Sequence, residues 1–366
     1  MTERASAQRL AVPVPDVALT AAGSVRDMDA DTAAGLLDLA EDAQRRRRRQ
    51  DPEAERMLEA RYHELRAALD WFGVAGLPDT ALRLAGALVS FWIATKRIDE
   101  GDAWFDRALR DPQVTGLTLA RAFYDHGYLV FWAGRYELAE RRFRESLALG
   151  ERESDPSLQA LALAGLARVA INTDVREAVR LLRQAQVVTA GLDDADLGRS
   201  SALHVLGVAL QMAGDFTAAR EVMAARLEMG RSRGDEIVVW SESANLSMVE
   251  RQLGNLDRAE DLSREALALC ARRADVMATA WMFNGLAAVT AARGRFERAA
   301  TLHGLAAAQL DRAGGEWPAD ERAQYEETLA ALGAHLSADV LERFRGGGSA
   351  MTAEAALTYA LSQVDN

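Results

Sequence analysis

The amino-acid sequence predicts an all-α fold, a single right-handed superhelix of about six helical hairpins with capping helices at both ends and no β-sheet. Three observations support this fold class. Alanine, leucine, arginine and glutamate are abundant and there are only 7 prolines, which favours helices. Apolar residues recur at helical spacing, as in Leu262 and Leu269. One short phrase returns about every 40 residues, and a fixed period of this size is typical of a solenoid.

The repeated phrase marks the turn inside each hairpin. In four of its six copies it begins with glycine, and every copy has a large apolar residue two positions later and a small residue three positions after that. Its copies begin at Lys96, Gly134, Thr173, Gly214, Gly254 and Gly294. Because glycine readily adopts the left-handed conformation that ends a helix, we place each turn at this position. A small residue seven positions before the turn (Gly127, Gly207, Ser247 or Ala287) predicts close contact between the two helices of a hairpin.

The pattern divides the chain into four segments. Residues 1–28 are predicted to be irregular, 29–75 to form N-terminal capping helices, 76–313 to form the repeats, and 314–366 to form short C-terminal capping helices. The arginine run at 45–49 is interpreted as a solvated helix end, although five arginines could also form a patch for nucleic acid or anionic lipid. The run Gly346–Ser349 is interpreted as a flexible connector.

Composition excludes several classes of function. The net charge is -12, so direct DNA binding through a basic face is not expected. The only lysine, Lys96, does not follow a glycine as in a phosphate-binding P-loop, and ATP binding is therefore not expected. One cysteine and histidines without metal-ligand spacing predict no metal and no cofactor. No signal peptide or membrane-length apolar stretch is evident, so we predict no membrane association and a cytoplasmic location.

Several stretches resemble a known family. The helix-turn-helix phrase is similar to the tetratricopeptide repeat, although the period exceeds the usual ~34 residues. The stretches at 58–71, 81–86, 104–109, 325–329 and 355–361 resemble the MalT-like sensor region of actinobacterial LuxR-type regulators, which are signal-transduction ATPases of the STAND class. The resemblance covers roughly residues 35–364 and implies a regulatory sensor arm without catalysis. The ATPase and DNA-binding modules of such regulators have no counterpart in this sequence, so ATPase activity and DNA binding are not expected.

The candidate binding residues lie on the first helix of each hairpin, which lines the concave side in repeats of this kind. The glycine register predicts that eleven side chains face the groove: Arg83, Arg121, Tyr124, Tyr128, Trp132, His204, Gln211, Asn245, Arg251, Trp281 and Asn284. Aromatic residues beside arginine are typical of binding hot spots. The alternative is that Tyr124, Tyr128 and Trp132 pack between repeats as core. A one-residue error in the register rotates a side chain by about 100°, so both interpretations stay open.

These patterns favour a non-enzymatic module that binds a protein, a peptide or a small regulatory ligand in its groove. The stripe that starts at Arg121 and ends at Trp132 suits an acidic or C-terminal peptide end, and we expect Arg121 to be an exposed contact whose removal leaves stability unchanged. The alternative function is an enzyme or a dedicated small-molecule binder that uses the solenoid channel, for example in a biosynthetic pathway. A closed pocket with convergent polar groups would favour that alternative.

Overall fold

The computed structural model describes residues 28–48, 51, 53–272, 276–315, 317 and 319–362. These residues form 18 helices and no strand, which confirms the predicted all-α fold. The prediction of an irregular segment over 1–28 falls almost wholly on residues 1–27, outside the described part of the chain. Within that part, none of the helices has the length and apolarity needed to cross a bilayer.

Three helices precede the hairpins, namely α1 (Ala30–Arg48), α2 (Glu53–Ala60) and α3 (Tyr62–Val74). Six hairpins follow: α4 (Pro78–Ala94) with α5 (Ile98–Ala108), α6 (Gly116–Trp132) with α7 (Tyr136–Arg152), α8 (Pro156–Ala170) with α9 (Val175–Val188), α10 (Leu197–Met212) with α11 (Phe216–Arg233), α12 (Glu236–Gln252) with α13 (Leu256–Arg272), and α14 (Val276–Ala292) with α15 (Phe296–Ala313). The last three helices are α16 (Ala319–His335), α17 (Ala338–Ser349) and α18 (Ala353–Leu361).

The turns lie where the repeated phrase predicts them. Gly134, Gly214, Gly254 and Gly294 have φ values of 72 to 79°, and Lys96 takes the same left-handed role with a φ of 59°. The copy at Thr173 turns differently, because the Asp174 side chain accepts hydrogen bonds from the backbone N–H groups of Arg176 and Glu177 and begins α9. Five of the six turns therefore use a left-handed residue, and at the turn after Thr173 a side-chain cap takes its place.

The small residues before the turns permit close helix contact inside the hairpins. A Cβ atom on Gly127 would lie 2.9 Å from the Phe143 ring, and one on Gly207 would lie 2.8 Å from Met223. At the corresponding position of the fifth hairpin, Ser247 Oγ donates a hydrogen bond to the Ala259 carbonyl at 2.7 Å. The predicted close approach is confirmed at these three hairpins.

The helices form two layers. The first helices of successive hairpins pack on one another, and each second helix packs between its own partner and the next first helix. Helix α16 packs on both α14 and α15 and thus takes the place of a seventh first helix. Buried apolar side chains of neighbouring hairpins share the space between the layers, so each hairpin depends on its neighbours for stability.

The glycine run near the C-terminus is helical, and its interpretation as a flexible connector is wrong. Helix α17 continues through Gly346–Ser349. A Cβ atom on Gly348 would lie 2.1 Å from the Thr301 carbonyl oxygen, and one on Gly304 would lie 2.1 Å from the Arg345 carbonyl oxygen. The glycines thus allow α15 and α17 to cross with their backbones in contact, which no larger residue permits.

Candidate functional site

A cleft at the N-terminal end of the first-helix layer brings together two of the predicted binding residues. It has a volume of about 410 Å³ and is lined by residues of α1, α4 and α6, among them Arg45, Arg83 and Arg121. Gln44 Nε2 donates a hydrogen bond to the Gly86 carbonyl at 3.1 Å and fixes α1 against α4. We call this site the N-terminal cleft.

The charges of the N-terminal cleft are partly paired. The exposed Arg83 donates to Glu41 Oε1 at 2.7 Å. Arg121 Nε donates to the carboxylate oxygens of Asp125 at 3.0 and 2.9 Å, and the attraction of Asp125 raises the pKa of the Arg121 guanidinium. Since Asp125 is only 6% exposed, removing Arg121 would take a charged partner from a buried carboxylate. This pair therefore leads us to expect that removing Arg121 lowers stability, in contrast to the expectation from the sequence, and Arg83 is the freer contact.

The aromatic stripe passes from core to surface along α6. Tyr124 is buried, with its ring centroid 5.8 Å from that of Phe143, and burial raises the pKa of its hydroxyl to about 12. Tyr128 is half-buried and stacks on Tyr124 at 6.2 Å. Trp132 meets the Tyr128 ring edge-on at 6.3 Å and is 54% exposed. The core interpretation thus holds for Tyr124 and the surface interpretation for Trp132.

The exposure of Trp132 predicts the outcome of a thermal melt. We expect Trp132→Ala to change the free energy of unfolding by less than about 1 kcal/mol, because exposed side chains contribute little to stability. As a buried aromatic control from the adjacent helix, Phe143→Ala should cost about 3–5 kcal/mol. A drop in melting temperature for Trp132→Ala comparable to that of the control would place Trp132 in the core.

The middle of the layer holds a buried charge network. His204 Nδ1 lies 2.6 Å from Glu242 Oε1, and the same oxygen accepts a hydrogen bond from Arg226. Arg226 Nε also donates to the Ser200 carbonyl at 3.1 Å. Glu242 is fully buried, and the partly exposed His204 side chain is already hydrogen-bonded to its carboxylate. Of the other predicted residues here, Gln211 Nε2 lies 3.9 Å from Met248 Sδ and Asn245 is half-buried.

At the C-terminal end, α16 contacts the remaining predicted residues. Arg251 donates to both carboxylate oxygens of Glu327, at 3.4 and 3.2 Å. Asn284 is fully buried and its Nδ2 donates to Glu321 Oε2 at 2.7 Å, while Trp281 borders a small cavity with residues of α16. The prediction that these three side chains face an open groove is therefore wrong, because α16 packs as a further first helix and contacts them.

Sequence spacing missed one cluster of potential ligand groups. Asp102, Asp106 and His126 have ligand atoms within 4.8 Å of one another, although they come from two different helices. His126 Nε2 lies 2.7 Å from Asp102, and its Nδ1 accepts a hydrogen bond from Arg142 Nε at 3.1 Å. Arg135 and Arg142 also bind the two carboxylates. With two arginines in contact, this arrangement acts as a salt-bridge network.

The buried His303 predicts a loss of stability in mild acid. Its Nε2 lies 3.1 Å from the Tyr325 carbonyl oxygen, and burial lowers its pKa to about 4. The pKa of an unfolded histidine is about 6.5, so below that pH the unfolded chain binds the extra proton. We expect stability to fall by roughly 3 kcal/mol as the pH drops from about 6.5 to about 4. Urea titrations should show this loss in the wild type and less of it in His303→Gln, whereas the exposed control His335→Gln should behave like the wild type.

The architecture defines a class, the tetratricopeptide-like helical solenoids. Residues 237–312 match the family described as tetratricopeptide repeat. Over 221 residues, the chain is 27% identical to proteins named as HTH-type transcriptional regulators of Mycobacterium tuberculosis and Mycobacterium bovis. The match covers 57% of this chain but only 25% of those relatives, so it concerns a part of each regulator. The resemblance to the tetratricopeptide repeat and to transcriptional regulators is thereby confirmed.

Solved structures show the same fold at low sequence identity. A Rap protein complexed with competence and sporulation factor has a TM-score of 0.54 and 15% identity, with 86% of each chain covered. The quorum sensor NprR of B. thuringiensis in its apo form has a TM-score of 0.51 and 14% identity, over 85% of this chain and 84% of that one. At these identities the likeness concerns the fold alone.

Proposed function

We propose that this chain is a peptide-binding regulatory module and that its N-terminal cleft binds an acidic or carboxy-terminal segment of its ligand. The observation that carries the proposal is the joint presence of Arg83 and Arg121 in one cleft. Arginine pairs with carboxylates through two parallel hydrogen bonds, which gives both affinity and orientation.

The aromatic stripe supports a ligand longer than a single carboxylate. Tyr128 and Trp132 continue from Arg121 along the same helix and become progressively more exposed. The Arg168 guanidinium lies 5.9 Å from the centroid of the Tyr128 ring and extends the cationic and aromatic surface to α8. Large, rigid aromatic side chains beside arginine form the kind of surface that contributes most to binding energy.

The comparisons support this class of function. The Rap structure contains competence and sporulation factor, and a structure of NprR contains its cognate peptide NprX, with a TM-score of 0.50 to this chain. The mycobacterial relatives are named as transcriptional regulators. We extend to this chain the role of a non-enzymatic regulator that binds its partner through the first-helix layer, with a cytoplasmic location and without ATP or direct DNA binding.

The shape of the N-terminal cleft favours a peptide over an enclosed small molecule. Arg45 and Arg83, which border it, are both exposed, so a bound chain can leave the cleft and continue along the surface. The alternative, an enzyme or small-molecule binder, would need a closed pocket with convergent polar groups.

Selection from short synthetic peptides with free carboxyl termini tests the proposal. We expect the selected peptides to require an acidic side chain or the terminal carboxylate, and their amidated or neutral forms to bind weakly. Arg83→Ala should weaken binding about tenfold, which corresponds to the loss of about 1.4 kcal/mol. Arg107→Ala, an exposed arginine on α5 outside this cleft, is the matched control and should bind normally. Unchanged binding by both Arg83→Ala and Trp132→Ala would refute the proposal.

A further inference from the structure

Several buried polar atoms without a hydrogen-bond partner among the described residues lie where α16 meets the first-helix layer. We define the α16 seat as Arg251 of α12 together with Trp281 and Asn284 of α14. Trp281 Nε1 and Asn284 Oδ1 are buried without a hydrogen-bond partner among the described residues. Gln324 of α16 is only 4% exposed, and both of its side-chain amide atoms also lack a partner there. Most buried polar groups are hydrogen-bonded to protein or to water, and these four atoms have no partner in the described part of the chain.

The contacts of α16 define the chemistry that the seat recognises. Glu321, Gln324 and Glu327 are spaced by three residues and therefore share one side of the helix. Glu327 binds the Arg251 guanidinium, and Glu321 accepts a hydrogen bond from the Asn284 amide. The seat thus fits a helix that presents two carboxylates. Between these two positions along the helix, it fits a polar group that can both donate and accept hydrogen bonds.

The two sides of α16 have different character. Its Leu332 is fully buried in an apolar cluster with Ala299 and Ala300 of α15. The side that meets the seat is polar, with one ion pair and amide contacts. A polar contact in which some groups lack hydrogen bonds contributes less free energy than an apolar core. Replacement of α16 by another helix therefore costs less free energy at the seat than at the contact with α15.

We propose that the α16 seat is a docking site for an acidic helix of a partner protein, and that α16 occupies this site within the same chain. A partner helix with carboxylates at the positions of Glu321 and Glu327 competes for the seat, so α16 limits access to this end of the first-helix layer. This proposal extends partner binding beyond the N-terminal cleft and does not depend on that cleft.

A peptide of this chain provides the probe. A fluorescein-labelled peptide of residues 319–335 is titrated into the full chain, into Glu327→Gln and into Glu326→Gln, and fluorescence polarisation is measured. Glu327→Gln removes the ion pair of the internal α16, whereas Glu326→Gln removes an equal charge from an exposed neighbour. We expect the peptide to bind Glu327→Gln about fivefold tighter than it binds the wild type or Glu326→Gln.

A second substitution shows whether the peptide occupies the seat. In the Glu327→Gln chain the internal ion pair is already absent, so adding Arg251→Ala affects only the added peptide. We expect this substitution to abolish the gain in affinity and Arg107→Ala, which removes an exposed arginine outside both sites, to leave the gain intact. Equal binding to the Glu327→Gln and Glu326→Gln chains would overturn the proposal. Loss of binding in Trp132→Ala but not in Arg251→Ala would also overturn it, while leaving the proposed function of the N-terminal cleft in place.

Discussion

Replacing Gly348 with alanine should destabilise the C-terminal part of the protein by about 3 kcal/mol or more. The new Cβ would lie 2.1 Å from the Thr301 carbonyl oxygen, so α15 and α17 would have to move apart. Alanine would otherwise favour the helix by up to about 1 kcal/mol, so packing determines the sign of the effect. Because hairpins in a stacked array depend on their neighbours, hydrogen exchange should rise first in α15 to α17.

The adjacent glycine gives a matched control for this effect. A Cβ atom on Gly347 meets nothing within 4 Å, and Gly347→Ala should therefore leave stability unchanged or raise it by up to about 1 kcal/mol. Gly304→Ala tests the other side of the same crossing and should behave like Gly348→Ala. Equal melting temperatures for Gly347→Ala and Gly348→Ala would show that α15 and α17 do not cross at backbone contact.

Replacing Arg226 with methionine should cost about 3–5 kcal/mol. Glu242 is fully buried, and Arg226 donates to its carboxylate while also binding the Ser200 carbonyl. Removing the guanidinium leaves a buried negative charge with much less compensation. Urea denaturation measured by circular dichroism gives the change in the free energy of unfolding.

Two further variants identify the cause of this loss. Arg231→Met lies on the same helix and removes a partly exposed arginine that pairs with Glu265, so it should cost less than about 1 kcal/mol. The double variant Arg226→Met with Glu242→Leu removes both charges and should recover most of the lost stability. A double variant as unstable as Arg226→Met would show that packing, rather than the uncompensated charge, causes the loss.

The hairpins could be predicted from the sequence because their turns depend on local chemistry. Glycine at the left-handed position and a small residue seven positions earlier are both visible in the periodic phrase. Helix α16 ends at His335 without such a phrase, so the sequence does not indicate its role as a seventh first helix. At Gly346–Ser349 the glycine composition predicts a flexible segment, because composition alone does not distinguish such a segment from a close helix crossing.

The candidate site could be predicted only in part, because exposure depends on distant contacts. Arg83 and Arg121 do line one cleft, as their place on the first helices suggested. The partner of Arg251 lies 76 residues away on α16, and no spacing in the sequence indicates that pair. The residues from Tyr124 to Trp132 share one stripe, yet they differ in burial because the inner end meets Phe143 of the next helix.

Hydrogen–deuterium exchange with and without a selected acidic peptide tests the central claim most directly. Binding in the N-terminal cleft and along the exposed aromatic residues predicts protection in α1, α4 and α6, with extension to α8 beside Arg168. The second helices α5 and α7 should exchange as they do in the free protein. Protection confined to the second-helix layer, or absent from α4 and α6, would contradict the account.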